Sequence, residues 1–242
     1  MIMFDYQKIK TKQGDWNIVK VHLDPNSDFI SRAARQAKQK AKYTIQAGQN
    51  GISRSNKLKL QNQFRGMIAE IYAVELIKSW LADSKLNNWE VIRYDDVRTD
   101  NFESPTNEYD LKIQNNSIGN KVLKIESRSS VTYARNLIEG ISDLDIIGPY
   151  TSQAKPKETY VDYYIRPLYN NTKEMKPEDF SDFLKNGFVD LYFVAGCSKN
   201  ALLEKGIYKS MKQNSSKYRC LPIILGSDII DFRKKIITNI NS

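Results

Sequence analysis

Between Asn56 and Ala82, seven apolar residues (Leu60, Phe64, Met67, Ile71, Val74, Ile77 and Leu81) recur at threes and fours. That spacing lays them along one stripe of a helix, and a stripe this long needs an equally long apolar surface to cover it. Asn56 is read as the N-cap. At about 100° per residue, Glu70 falls inside the stripe, between the directions of Ile77 and Leu81. A carboxylate there requires a basic partner or a metal ion, because an unpaired buried charge is costly. The covering surface follows directly in the chain as strand-like runs at Trp89–Arg93, 109–113 and 121–127. The last two are separated by residues 114–120 (QNNSIGN), whose Asn and Gly suit a hairpin turn.

A helix followed by a meander of strands predicts an α/β (α+β) fold, with a mixed central sheet flanked by helices. Residues 189–195 (VDLYFVA) read as a further buried strand and 16–23 as an alternating one. Residues 28–43 read as a basic helix with a weak apolar face. Ser198 is expected to cap a helix reaching about Lys212, 221–225 to form another strand, and Ser227 to cap a final helix. No internal repeat is visible, and one domain over 1–242 is expected.

Charge adds a second constraint. The chain carries a net +9, and from Ser31 to Arg65 there is no Asp or Glu. The same stretch holds Arg32, Arg35, Lys38, Lys40, Lys42, Arg54, Lys57, Lys59 and Arg65. Such a block attracts a polyanion and displaces its condensed counterions, so residues 1–55 read as a basic arm that contacts nucleic acid, with residues 56–242 as the core and a C-terminal extension. Arg32, Arg35, Lys38, Lys42, Arg54 and Lys57 are the candidate contacts. Lys199–Arg219 is a second basic stretch, and 150–171 interleaves tyrosines with basic residues. No apolar run approaches the roughly 18–20 residues that span a bilayer, and the N-terminus lacks the layout of a signal peptide. A cytoplasmic protein without a membrane partner is the expectation. Cys197 and Cys220 read as buried free thiols. His22 is the single histidine, which argues against Ser-His-Asp and His-rich zinc chemistry. No GxxxxGK[ST] phosphate loop occurs.

Side-chain parity then assigns faces to the predicted hairpin. In EYDLKI, Tyr109, Leu111 and Ile113 share one face, and Asp110 and Lys112 the other. In KVLKIESR, Leu123 and Ile125 face one way, and Val122, Lys124, Glu126 and Arg128 the other. Pairing the apolar faces brings Asp110 and Glu126 to the same side. Two neighbouring carboxylates repel unless a cation lies between them, and Mg²⁺ commonly takes one or two carboxylates plus water and phosphate. Asp95 and Asp96 are candidate outer ligands, with loop solvation the plainer reading.

Asp110, followed after fifteen residues by Glu126-Ser127-Arg128 in an apolar hairpin, resembles the PD-(D/E)XK nuclease superfamily. The upstream Arg65-Gly66-x-x-Ala69-Glu70 helix is similar to that family's first core helix. The phrase IESRSS, followed by Tyr133, is similar to the active-site strand of some restriction endonucleases. Two departures stand out: Tyr109 replaces the usual proline before the metal acid, and Arg128 replaces the family lysine. An arginine is always protonated and cannot act as a general base, though it can clamp phosphate. The resemblance implies a restriction-endonuclease-like core that hydrolyses phosphodiester bonds in double-stranded DNA with Mg²⁺, Mn²⁺ being able to substitute. Asp110, Glu126 and Glu70 would be the metal acids, with Arg128 and Lys124 completing the catalytic set. A type II restriction enzyme would be a homodimer on a palindromic site and imply a DNA methyltransferase in the same cell. A repair, recombination or structure-specific nuclease, and a non-catalytic DNA-binding protein with a degenerate nuclease fold, are the alternatives.

Overall fold

The computed structural model describes residues 2–44, 55–104, 109–115, 121–132, 136–151, 158–171, 173–210 and 217–242. In chain order the first half contains β1 (Phe4–Thr11), β2 (Gly14–Val21), α1 (Asp28–Tyr43), α2 (Asn56–Asp83), β3 (Trp89–Arg93), α3 (Tyr94–Val97), β4 (Leu111–Asn115), β5 (Val122–Ser127) and β6 (Ser130–Val131). Then come α4 (Leu137–Asp143), β7 (Asp145–Thr151), β8 (Tyr163–Asn171), α5 (Phe180–Lys185), β9 (Val189–Ser198) and α6 (Lys199–Lys205). The chain closes with β10 (Ile207–Ser210), β11 (Lys217–Pro222), β12 (Ser227–Asp228) and α7 (Ile229–Asn241). Among the described residues no helix is long and apolar enough to cross a membrane.

The large sheet runs β1-β2-β9-β8-β5-β4-β3, with β12 beside β9 and β6 beside β8. It is mixed: β5 and β8 are parallel, whereas β3-β4-β5 form an antiparallel meander. One face is covered by α1, α2, α5 and α7, whose buried side chains join Leu111, Ile113, Leu123 and Ile125 in one core. The other face packs on α4, α6 and a small sheet ordered β10-β11-β7, around Trp16, Ile18, Tyr164 and Leu168. Helices thus lie on both sides of a mixed sheet, as the sequence predicts.

α2 is the organising rod. Phe64, Met67, Ile71, Val74, Ile77 and Leu81 are buried, but so are Ile68, Tyr72, Leu76 and Trp80, since Phe29 of α1 packs on Tyr72 and Phe232 of α7 on Trp80. Its N-cap is Ser55, one residue earlier than expected, whose hydroxyl accepts the Leu58 N–H. At the C-terminal end Ser198 does cap α6, yet that helix stops at Lys205, and strand β10 occupies part of its expected length. Asp228, not Ser227, caps α7, since its carboxylate accepts two amide N–H groups of the first turn. The expected strand at 221–225 lies mostly earlier, in β11, and then tightens into a 3₁₀ turn at Ile223–Leu225.

The larger correction concerns residues 1–55. Through Tyr43 they form no appended arm. β2 is hydrogen-bonded to β9 inside the main sheet, and Ile30, Ala33 and Ala37 of α1 are buried against α2. Removing apolar side chains from water outweighs whatever favours a free basic segment. Both cysteines are buried and unpaired, as expected.

Candidate acid site

The meander places the acids by register. Leu111 pairs with Ile125 and Lys112 with Lys124, and at the end of this ladder Asp110 comes beside the Ile125–Ser127 stretch that carries Glu126. Asp110 lies just before β4, where its amide donates to Ile125 O (3.2 Å) and its carbonyl accepts from the Tyr94 N–H (2.8 Å). Its Oδ2 accepts the Ser127 N–H at 2.8 Å. Parity holds within the paired strands, where Leu111, Ile113, Leu123 and Ile125 point into the helix-covered core and Lys124 and Glu126 alternate with them; it fails at Tyr109, expected on the Leu111 face, which packs with the opposite core because it lies before the strand begins.

Asp110 sits at the centre of two flanking charge groups. On the α2 side is Glu70, 7% exposed, whose Oε2 accepts from Arg93 Nη1 at 3.3 Å. Burial and the charge of Asp110 push its carboxyl up to about 8, against the pull of Lys40 and Arg93. The ion pair and this upward direction oppose each other. The upward one wins because the Arg93 guanidinium is shared with Gln36, Met67 and Asp96, leaving Glu70 a long, partial contact. Of the two readings for Glu70, a basic partner is thus present, but its neutralisation is incomplete.

On the other side, Glu126 is likewise pushed up to about 8 by burial, Asp110 and Glu158, with Arg128 acting to lower it. Arg128 Nη2 lies 2.7 Å from Glu126 Oε1 and also donates to Glu158, while its guanidinium stands 4.3 Å from the Tyr150 ring centre. Burial opposes its charge, and Glu126, Tyr150 and Glu158 keep it protonated. Behind it, the buried Arg166 donates to the Arg128 carbonyl and to Ser130 Oγ (2.8 Å), fixing the chain as it leaves β5. Asp110 itself is raised by burial, with the Ser127 amide, Lys40 and Arg128 pulling the other way.

The remaining candidates divide. Lys124 lies on the Glu126 face with its ammonium 5.2 Å from the Tyr109 ring centre. Arg35, Lys38 and Lys42 are exposed on α1, whereas Arg32 is half-buried and 3.9 Å from Asp96. Lys57 is exposed and paired with Asp179 at 2.9 Å. Arg54, Tyr133, Lys155 and Lys157 lie outside the described residues. Asp95, expected in a solvated loop, is 7% exposed and held between Lys40 (2.8 Å) and Arg98 (3.1 Å).

Sequence reasoning missed Lys40, Arg93 and Glu158. Two of these carried a readable signal. Lys40 continues the buried spacing Ile30–Ala33–Ala37 of α1, and Arg93 shares the inward parity of Val91 in β3. Glu158 had none, being brought to Arg128 by the path of the chain between β7 and β8.

Among the described residues, no group of three or more His, Cys, Asp or Glu side chains is close enough to hold a metal ion together. Asp110 and Glu126 nevertheless suit a hard divalent cation. Both offer oxygen donors, both resist ionisation where they stand, and a cation between them would relieve that resistance.

A protein of Methanocaldococcus jannaschii described as uncharacterized is 28% identical over 237 residues, covering 88% of this chain and 83% of its own length. The likeness therefore extends over most of both chains, well beyond the acid-bearing segment. No family model matches the chain, and no solved structure matches it.

Proposed function

We propose that this protein is a Mg²⁺-dependent DNA endonuclease, with Mn²⁺ able to substitute, and that its active site is the end of the β3-β4-β5 meander. The observation that carries the reading is the position of Asp110 at the end of the hairpin, its carboxylate accepting the amide of Ser127, the residue that follows Glu126. Two half-buried acids with mutually unfavourable charge are a costly feature for a structural site to maintain, and perturbed carboxyls in such a constellation are characteristic of functional sites. Asp110 and Glu126 would hold the cation, with Glu70 an outer contributor through Asp110. The cation supplies charge neutralisation at the phosphate and lowers the pKa of a water. Arg128 stabilises charge developing on the scissile phosphate, and Lys124, on the same face, approaches the backbone beside it. The exposed Arg35, Lys38 and Lys42 of α1 supply phosphate contacts that carry no sequence information.

Within this reading, a type II restriction enzyme acting as a homodimer, with a methyltransferase protecting its host, is the favoured form. A repair, recombination or structure-specific nuclease is the alternative within the same chemistry. A binding-only descendant is supported by one specific feature: Arg128 is already engaged by Glu126 and Glu158. Incubation with unmethylated phage DNA and Mg²⁺ separates the three. Discrete fragments indicate sequence-specific cleavage, a smear indicates cutting by shape, and intact DNA refutes the enzyme. Asp110→Asn or Glu126→Gln should abolish cutting while DNA binding without metal is kept, and wild-type cutting by either would move the site elsewhere.

A further inference from the structure

Helix α1 presents two unlike faces. Arg35, Lys38 and Lys42 look outward, and Ile30, Ala33 and Ala37 are buried against α2. Lys40 is the next residue on the buried stripe, three beyond Ala37. Its stem passes Phe102, with the ammonium 6.0 Å from that ring centre, and its Nζ lies 2.8 Å from Asp95 Oδ2. Its side chain is 27% exposed, so it is neither sealed in the core nor free in solvent. Burial works against its charge, but Glu70, Asp95 and Asp110 together hold it protonated.

Arg128 spends its guanidinium on Glu126 and Glu158. Lys124 leans toward Tyr109. Lys40 differs from both in reaching the acid site from the helix-covered side, through Asp95, whose chain neighbour Tyr94 donates its N–H to the Asp110 carbonyl at 2.8 Å.

We propose that Lys40 is a catalytic residue of the nuclease, its ammonium donating to the scissile phosphate from α1 and so adding a second cation to that of Arg128. This rests on the nuclease reading above. In the free protein Lys40 rests on Asp95 beside the acids. When the scissile phosphate enters the acid site, it replaces Asp95 as the partner of Lys40. As an ammonium it takes no proton from water. It donates hydrogen bonds to a non-bridging oxygen whose negative charge grows as the phosphate is attacked, and such a contact counts most in the transition state. The same placement has a consequence that needs no DNA. A fixed positive charge beside Glu70 and Asp110 repels a divalent cation entering the site.

The test uses the full chain with Lys40→Met, which keeps the apolar stem beside Phe102 and removes the charge. Lys40→Gln serves as a second variant should the first fail to fold by circular dichroism. Single-turnover cleavage of plasmid DNA in Mg²⁺ should fall about a hundredfold. DNA affinity measured in Ca²⁺ should stay within about threefold, and Lys40→Arg should recover part of the rate. Calorimetric titration with Mn²⁺ should show tighter binding by about tenfold in the Met variant. Cleavage within about threefold of wild type, or unchanged Mn²⁺ affinity, overturns the role of Lys40 and leaves the nuclease standing. A wild-type chain that cuts no DNA with any divalent ion overturns both.

Discussion

Glu70→Gln is the substitution whose outcome follows most directly from the geometry. Glu70 is 7% exposed and its carboxyl is raised from an ordinary 4.5 to about 8, chiefly by burial and then by Asp110. The folded protein therefore grips this proton more tightly than the unfolded chain does. Stability from the protonated form is fully present below pH 4.5 and is lost progressively as pH rises toward 8. The loss runs at about 1.4 kcal/mol per pH unit and amounts to about 5 kcal/mol once the group is fully ionised. Glutamine has the shape of the protonated acid, can still accept from Arg93, and does not titrate. The stability of Glu70→Gln relative to wild type should thus be within about 1 kcal/mol near pH 5. It should then climb in favour of the variant at each step to pH 8. Urea denaturation of both proteins in EDTA at pH 5, 6.5 and 8 measures the gap directly. A gap that stays flat, or one that turns against the variant as pH rises, would mean that Glu70 is ionised throughout and satisfied by Arg93. The account of a strained acid site would then be wrong on the α2 side. Adding Mg²⁺ at pH 8 should return stability to wild type, since a cation that binds only the folded state stabilises it by mass action.

Two further outcomes are expected. Arg128→Ala should lower single-turnover cleavage by about a hundredfold with DNA affinity nearly unchanged, and Arg128→Lys should restore part of the loss because the charge is kept without the fork; equal rates in all three proteins would relieve Arg128 of its role. Replacing Arg35, Lys38 and Lys42 with alanine should weaken DNA binding regardless of sequence and flatten its salt dependence by about one slope unit per lost phosphate contact, whereas an unchanged slope would make the outer face of α1 a solvated surface.

What could be read from the residues alone was whatever obeys a local period. Alternation in β4 and β5 set Leu111, Ile113, Leu123 and Ile125 into the core, and the 3.6-residue period of α2 set Glu70 toward the sheet. The chain ends were misplaced where two periods compete: Lys199–Lys205 is helical, but Ile207–Ser210 pairs with β11, and no local rule marks that change. Strand β1 was not anticipated, because FDYQKIKT alternates only weakly and gains its place by pairing with β2. β8 was obscured by its tyrosines, which suit either a core strand or a stacking surface. It is buried along nearly its whole length between β5 and β9. The charges surrounding Asp110 were least legible. Arg93, Asp95 and Lys40 converge from three elements, and that convergence exists only after α1 packs on α2. The lack of acids from Ser31 to Arg65 drew attention to the positive field outside α1 and away from the one lysine that the same helix turns inward.

The register of β4 against β5 ties folding and chemistry to one degree of freedom. Strand side chains alternate strictly, so a slip of one residue would carry Leu111, Ile113, Leu123 or Ile125 out of the core and move Asp110 off Glu126 in the same step. No half-correct hairpin exists that keeps the interior and loses only the acid pair. Proofreading of the site is thus delegated to hydrophobic burial, which acts on every molecule as it folds. A chain that reaches its native core arrives with both acids already gathered at one end of the hairpin.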